Sequence, residues 1–157
     1  MQLLDNNTAT LEYHLDALAV AARQMFAVLT REYQRLYARE IPTPDLLREK
    51  AHWAAELEQK QHQFQAFRET LGIEDLTTYL AALPHPSQKA TINTQWQETA
   101  LLFQNCDSQN AINGQLLHRL HVRNQLFGRI LSNQLSDPTY SRQGQLADGR
   151  QGTLGHA

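Results

Sequence analysis

A chain of 157 residues, 41% of them hydrophobic, supplies enough material for one domain with a real core, and two domains are not expected. A net charge of −2 gives no whole-molecule basic signature for nucleic acid or an anionic membrane, and the single Cys106 excludes an intramolecular disulfide, in keeping with a reducing compartment. The charge is unevenly divided: residues 1–107 hold nine Lys/Arg and fourteen Asp/Glu, hence −5, whereas residues 108–157 hold five and two, hence +3.

Glycine is scarce, and Pro42, Pro44, Pro84, Pro86 and Pro138 punctuate long intervals rich in Gln, Ala, Leu, Arg and Glu. This is an all-α composition. It predicts an up-and-down bundle of three long helices plus a short connecting helix over residues 1–136, and a flexible C-terminal tail over 137–157. Met1–Asp5 lacks the basic and apolar regions of a signal peptide, and no apolar run approaches the ~20 residues of a membrane span, so a cytoplasmic protein without membrane insertion is expected.

In chain order, Asn6, Asn7 and Thr8 are N-cap candidates for a first helix whose apolar positions are Leu11, Leu15, Leu18, Ala22, Met25, Leu29, Tyr33 and Leu36. Arg31, Arg35 and Arg39 suit the negative end of its dipole. Ile41-Pro-Thr-Pro-Asp breaks and restarts the chain, with Thr43 as N-cap and Pro44 at the first helical position, and so short a link predicts an antiparallel neighbour. The second helix carries Leu46, Trp53, Leu57, Phe64, Phe67 and Leu71, with Lys50 and Lys60 snorkelling from the seam edge. Gly72 is placed to end it with Ile73 as hydrophobic companion; Glu74–Leu83 reads as a short helix, and Ser87 as the cap of the next long one.

From Ile92 the less polar positions recur at alternating spacings of four and three: Ile92, Trp96, Thr99, Phe103, Cys106, Asn110, Asn113, Leu117, Leu120, Asn124, Phe127, Leu131. That is a coiled-coil-like seam on one long helix from about Ser87 to Gln134. Asn113-Gly114 would suit a hairpin turn, but the spacing passes through residues 110–117 without slipping phase, and a helix tolerates Gly114 for about 1 kcal/mol. Gly114 and Gly128 fall on one stripe; they either let another helix approach closely or mark mild bends. At ~1.5 Å per residue the long helix reaches roughly 72 Å against roughly 48 and 42 Å for the first two. Its C-terminal part, Leu116–Leu131, is thus expected to be left unpaired.

Catalytic and metal chemistry find no foothold. Glu49-Lys-Ala-His52 matches one Glu-x-x-His element of di-iron bundles, but a second is missing, and His118 with His121 leaves a zinc ion short of ligands. No P-loop, dinucleotide fingerprint or nucleophile elbow is present. No cofactor, metal or enzymatic activity is expected.

Asn110-Ala-Ile-Asn113-Gly114-Gln-Leu116-Leu117, the later Asn124 and Thr139-Tyr140-Ser-Arg-Gln-Gly144 resemble the FlgN family of flagellar type III export chaperones. Ser141 departs from the glycine usual after that tyrosine. The resemblance implies an all-helical cytoplasmic chaperone that holds the C-terminal helical segments of hook-filament junction proteins and delivers them to the export apparatus. It also implies that Tyr140 contacts the cytoplasmic domain of the export gate. The cargo-binding set expected from the seam is Asn113, Gly114, Leu116, Leu117, Leu120, Asn124, Phe127, Ile130 and Leu131, with the two asparagines setting register. The competing expectation is a self-associating helical interaction protein, pairing as a homodimer through the same segment.

Overall fold

The structure is a computed structural model that describes residues 2–135, with side chains described for residues 6–132. Four helices follow one another: α1 (Gln2–Tyr37), α2 (Pro44–Thr70), α3 (Leu76–Ala81) and α4 (Pro86–Leu135), with no strand among the described residues. The chain divides into two compact units, Met1–Leu120 and His121–Ala157. The expected tail, 137–157, lies outside the described residues.

In the first unit Leu11, Leu15 and Leu18 of α1 meet Phe64 of α2, then Ile73, Leu76, Leu80 and Leu83 in and around α3, and Ile92 of α4. Leu57, Phe67, Trp96 and Phe103 pack on this cluster. The i, i+3/i+4 spacing of these residues is what puts them on one face of each helix, and burying a large apolar side chain stabilises by about 1.5–3 kcal/mol. The short α3 therefore closes the end of the bundle with residues too few to form a stable helix alone.

Local chemistry sets the boundaries. Thr43 caps α2 by accepting from Leu46 N–H at 3.3 Å, with Pro44 at the first helical position. Gly72, at φ 65°, ends α2 in a Schellman motif: its N–H reaches Glu69 O at 3.1 Å, Ile73 N–H reaches Arg68 O at 2.9 Å, and Ile73 is buried. Asp75 caps α3, accepting from Thr77 N–H, Thr78 N–H and the Thr78 hydroxyl, and the last of these bonds does most to hold its carboxyl below the usual range.

Three boundary expectations are corrected. The first helix begins at Gln2, upstream of the expected caps, because Thr8 is itself buried three residues before Leu11 and extends the inward stripe. Arg39 lies beyond α1, where it takes the left-handed conformation at φ 63° and closes a second Schellman motif, Glu40 N–H to Arg35 O at 2.9 Å. Finally, α4 starts at Pro86, so Ser87 is helical, its carbonyl accepting the Thr91 hydroxyl at 3.1 Å.

As expected, α4 runs through Gly114 as one helix. Its seam departs from the regular pattern after Cys106. Ile92, Thr99 and Cys106 are buried with Trp96 and Phe103 half-buried between them, but Asn110 and Leu117 are exposed and the inward positions become Cys106, Asn113 and Leu120, seven residues apart. Between them Gln109 and Leu116 are half-buried, so the contact line moves by one residue, from Asn110 and Leu117 to Gln109 and Leu116, and keeps two positions per heptad.

Candidate functional site

Asn113 is the polar centre of the first unit. Its side chain is 1% exposed, and its Nδ2 donates to Leu29 O and to the Glu32 carboxylate, both at 2.8 Å. The Gln109 amide donates to its Oδ1 at 3.0 Å. Glu32 is 3% exposed and takes a second charge-assisted bond from Lys50 Nζ at 2.8 Å. Lys50 was expected to snorkel outward; it turns inward because Glu32, buried on α1, needs a counter-charge. One carboxylate thus joins α1, α2 and α4, and since each donor reaches it at one helical offset only, the network fixes how far each helix slides along the others.

The other residues expected at the cargo surface separate into two groups. Within the first unit Leu120 is 9% exposed and turned inward, Leu116 is half-buried, Leu117 is 44% exposed, and Gly114 has open space where a Cβ would point. Within the second unit Asn124 is exposed, and Phe127, Ile130 and Leu131 leave 56%, 52% and 58% of their surfaces open. Val122 and Leu126, absent from the expected set, are 40% and 52% exposed. The signal for them was available: Leu126 and Ile130 stand four apart, as do Phe127 and Leu131, so two adjacent rows share one side of α4. Tyr140 lies outside the described residues.

The remaining chemistry is quiet. The Glu-x-x-His element is disassembled by geometry: Glu49 pairs with Arg31 at 2.5 Å, whose hydrogen bond holds the carboxyl below its usual range, while His52 is exposed. His121 Nε2 meets the Gln125 amide at 2.8 Å. Among the described residues no group of three or more His, Cys, Asp or Glu is placed to hold a metal ion. Burial, then the neighbouring Asp107, pushes the Cys106 thiol up, and its Sγ donates to Ala22 O at 3.3 Å, so it is packed rather than activated. In the first unit an open groove of about 770 Å³ runs between α2 and α4, lined by Phe64, Arg68, Trp96 and Phe103 with Leu18 at its floor. No helix among the described residues is long and apolar enough to cross a membrane.

The candidate site is a set of apolar side chains presented on a helix, and no metal-holding cluster accompanies it among the described residues. The FlgN protein family model matches residues 1–148. The chain belongs to the FlgN family. Membership implies a flagellar export chaperone, a non-catalytic class, and an all-helical member of it is what the four helices form. Neither a curated protein nor a solved structure matches the chain.

Proposed function

We propose that this FlgN-family chain is a cytoplasmic chaperone that binds the C-terminal helical segments of hook-filament junction proteins through α4 and delivers them to the flagellar type III export apparatus. The observation that carries the reading is the row Leu126, Phe127, Ile130 and Leu131, each more than half exposed on consecutive turns. Apolar surface of this kind marks an interaction site, and an amphipathic helix is the partner shape that covers it. Covering four half-exposed large side chains is worth roughly 3–6 kcal/mol before the cost of association. That gross gain does not by itself offset the cost of association, so further contacts along α4 must add to it.

In this reading Gly114, Leu116, Leu117 and Leu120 are the cargo residues of the first unit, Asn113 holds register within the fold, and Asn124 does so toward the cargo in the second. Tyr140 contacts the cytoplasmic domain of the export gate. Self-association through the same face is the second reading, favoured by the same exposure.

Calorimetric titration with the C-terminal segment of a hook-filament junction protein tests the proposal, alongside Leu117→Asp, Phe127→Asp and Tyr140→Ala. Cargo binding should be lost in the two Asp variants and kept in Tyr140→Ala. No binding by a helical wild type would remove the chaperone reading and leave self-association in the lead; loss in Tyr140→Ala alone would refute the division of labour.

A further inference from the structure

The exposed face of the second unit carries one charge at its edge. Counting from Arg123, the residues Leu126, Phe127, Ile130 and Leu131 follow at i+3, i+4, i+7 and i+8, the positions that share one side of a helix. All four are more than half exposed, whereas Arg123 is only partly so, and its Nε is shut off from water with no hydrogen-bond partner among the described residues. That N–H is as closed to a docking group as to water, but the terminal N–H groups of the guanidinium carry no such burial, and a carboxylate on a partner helix would take those two in a fork.

No such group is available nearby in sequence. From Ser108 to Leu135 the chain holds Arg119, Arg123 and Arg129 and not one Asp or Glu. A second copy laid on this face would bring its own Arg123 and, from its 108–135 segment, no carboxylate for either arginine. An unanswered charge on an otherwise apolar face opposes pairing, so the composition of the segment selects against self-association and for an acidic partner.

Resting on the cargo reading above, we propose that the helix covering this face places a carboxylate on Arg123 while its apolar stripe covers Leu126, Phe127, Ile130 and Leu131. The recognised class is an amphipathic helix with a continuous i, i+3/i+4, i+7 apolar stripe and an Asp or Glu about one turn from one end of it. The stripe supplies the affinity. The carboxylate fixes where along α4 the helix stops sliding, a task that apolar contacts alone perform poorly.

A double-mutant cycle by calorimetry tests this with the full chain and the C-terminal segment of a hook-filament junction protein, each Asp and Glu of the segment changed in turn to its amide. Arg123→Gln should weaken binding about tenfold. One amide-substituted segment should be equally weak on the wild type and no weaker on Arg123→Gln, the mark of a shared contact. Arg129→Gln, off the i, i+3, i+4 face, should stay within about twofold. Circular dichroism of both variants checks that α4 is intact. Equal losses in Arg123→Gln and Arg129→Gln, or no acidic position coupled to Arg123, would overturn the carboxylate anchor while leaving the cargo reading standing. Failure of the wild type to bind any segment would overturn both, and so would a stable dimer, seen by sedimentation, that Phe127→Asp dissociates.

Discussion

Truncating Asn113 to alanine removes the one side chain that bonds both the Leu29 carbonyl and the Glu32 carboxylate, at 2.8 Å each. The bond to a buried carboxylate is worth about 1.5–3 kcal/mol and the bond to the carbonyl about 1 kcal/mol, and the vacated volume adds to the loss. Lys50 still holds Glu32 at 2.8 Å, which limits the penalty on that carboxylate. The net expectation is a loss of about 3 kcal/mol, a large share of the ~5–15 kcal/mol that stabilises an ordinary domain. For a chain of this size that corresponds to a fall in Tm of roughly 6–12 °C. Urea denaturation followed by helical circular dichroism measures it, with Asn124→Ala as control, since Asn124 is exposed and its truncation should change stability by less than about 0.5 kcal/mol. Equal midpoints for Asn113→Ala and Asn124→Ala would refute the three-helix network as a source of stability.

Three other outcomes are expected. Arg39→Gly should raise the unfolding free energy by about 0.5–1 kcal/mol, seen as a higher urea midpoint, because Arg39 holds a left-handed conformation at φ 63° that costs an L side chain and not glycine; a lower midpoint contradicts this. Gly114→Ala should add about 1 kcal/mol of helix stability, since nothing within 4 Å meets the new Cβ, while weakening cargo binding; unchanged affinity would take Gly114 out of the cargo surface. His14 lies against Phe67 with ring centroids 4.9 Å apart, and burial, then the Lys60 charge, holds its pKa below the ordinary 6.5. The native state favours neutral imidazole and the unfolded chain takes up the proton first, so this stability is present above pH 6.5, declines as pH falls through it, and is gone below the folded value. Urea midpoints should thus drop more between pH 7.5 and 5.5 for the wild type than for His14→Phe, and parallel drops would exclude His14 as the cause.

What the sequence made legible was local. Thr43-Pro44 and Gly72-Ile73 announce their helix ends because the chemistry that makes a cap is carried by the residues at the cap. The continuity of α4 through Gly114 was legible because a turn would have broken the four-three phase. The first turns of α1 were misjudged because a buried Thr8 has the same letter as a capping one. Spacing also tells which positions share a face, not where the contact line shifts, and so Asn110 and Leu117 were expected on a seam that passes instead through the half-buried Gln109 and Leu116. The Glu32 network was hidden because its members are some eighty residues apart, as in the Asn113–Glu32 bond. Arg123 escaped notice because a search for apolar periodicity passes over a charged residue standing in the same row.

The central claim is that cargo is held on the last turns of α4, and hydrogen exchange of the full chain with and without the C-terminal segment of a hook-filament junction protein tests it most directly. Cargo should slow exchange in peptides covering residues 121–135 and leave those covering the α2–α4 groove, around Trp96 and Phe103, unchanged. Protection centred on that groove, with 121–135 exchanging as in the free chain, would contradict the account.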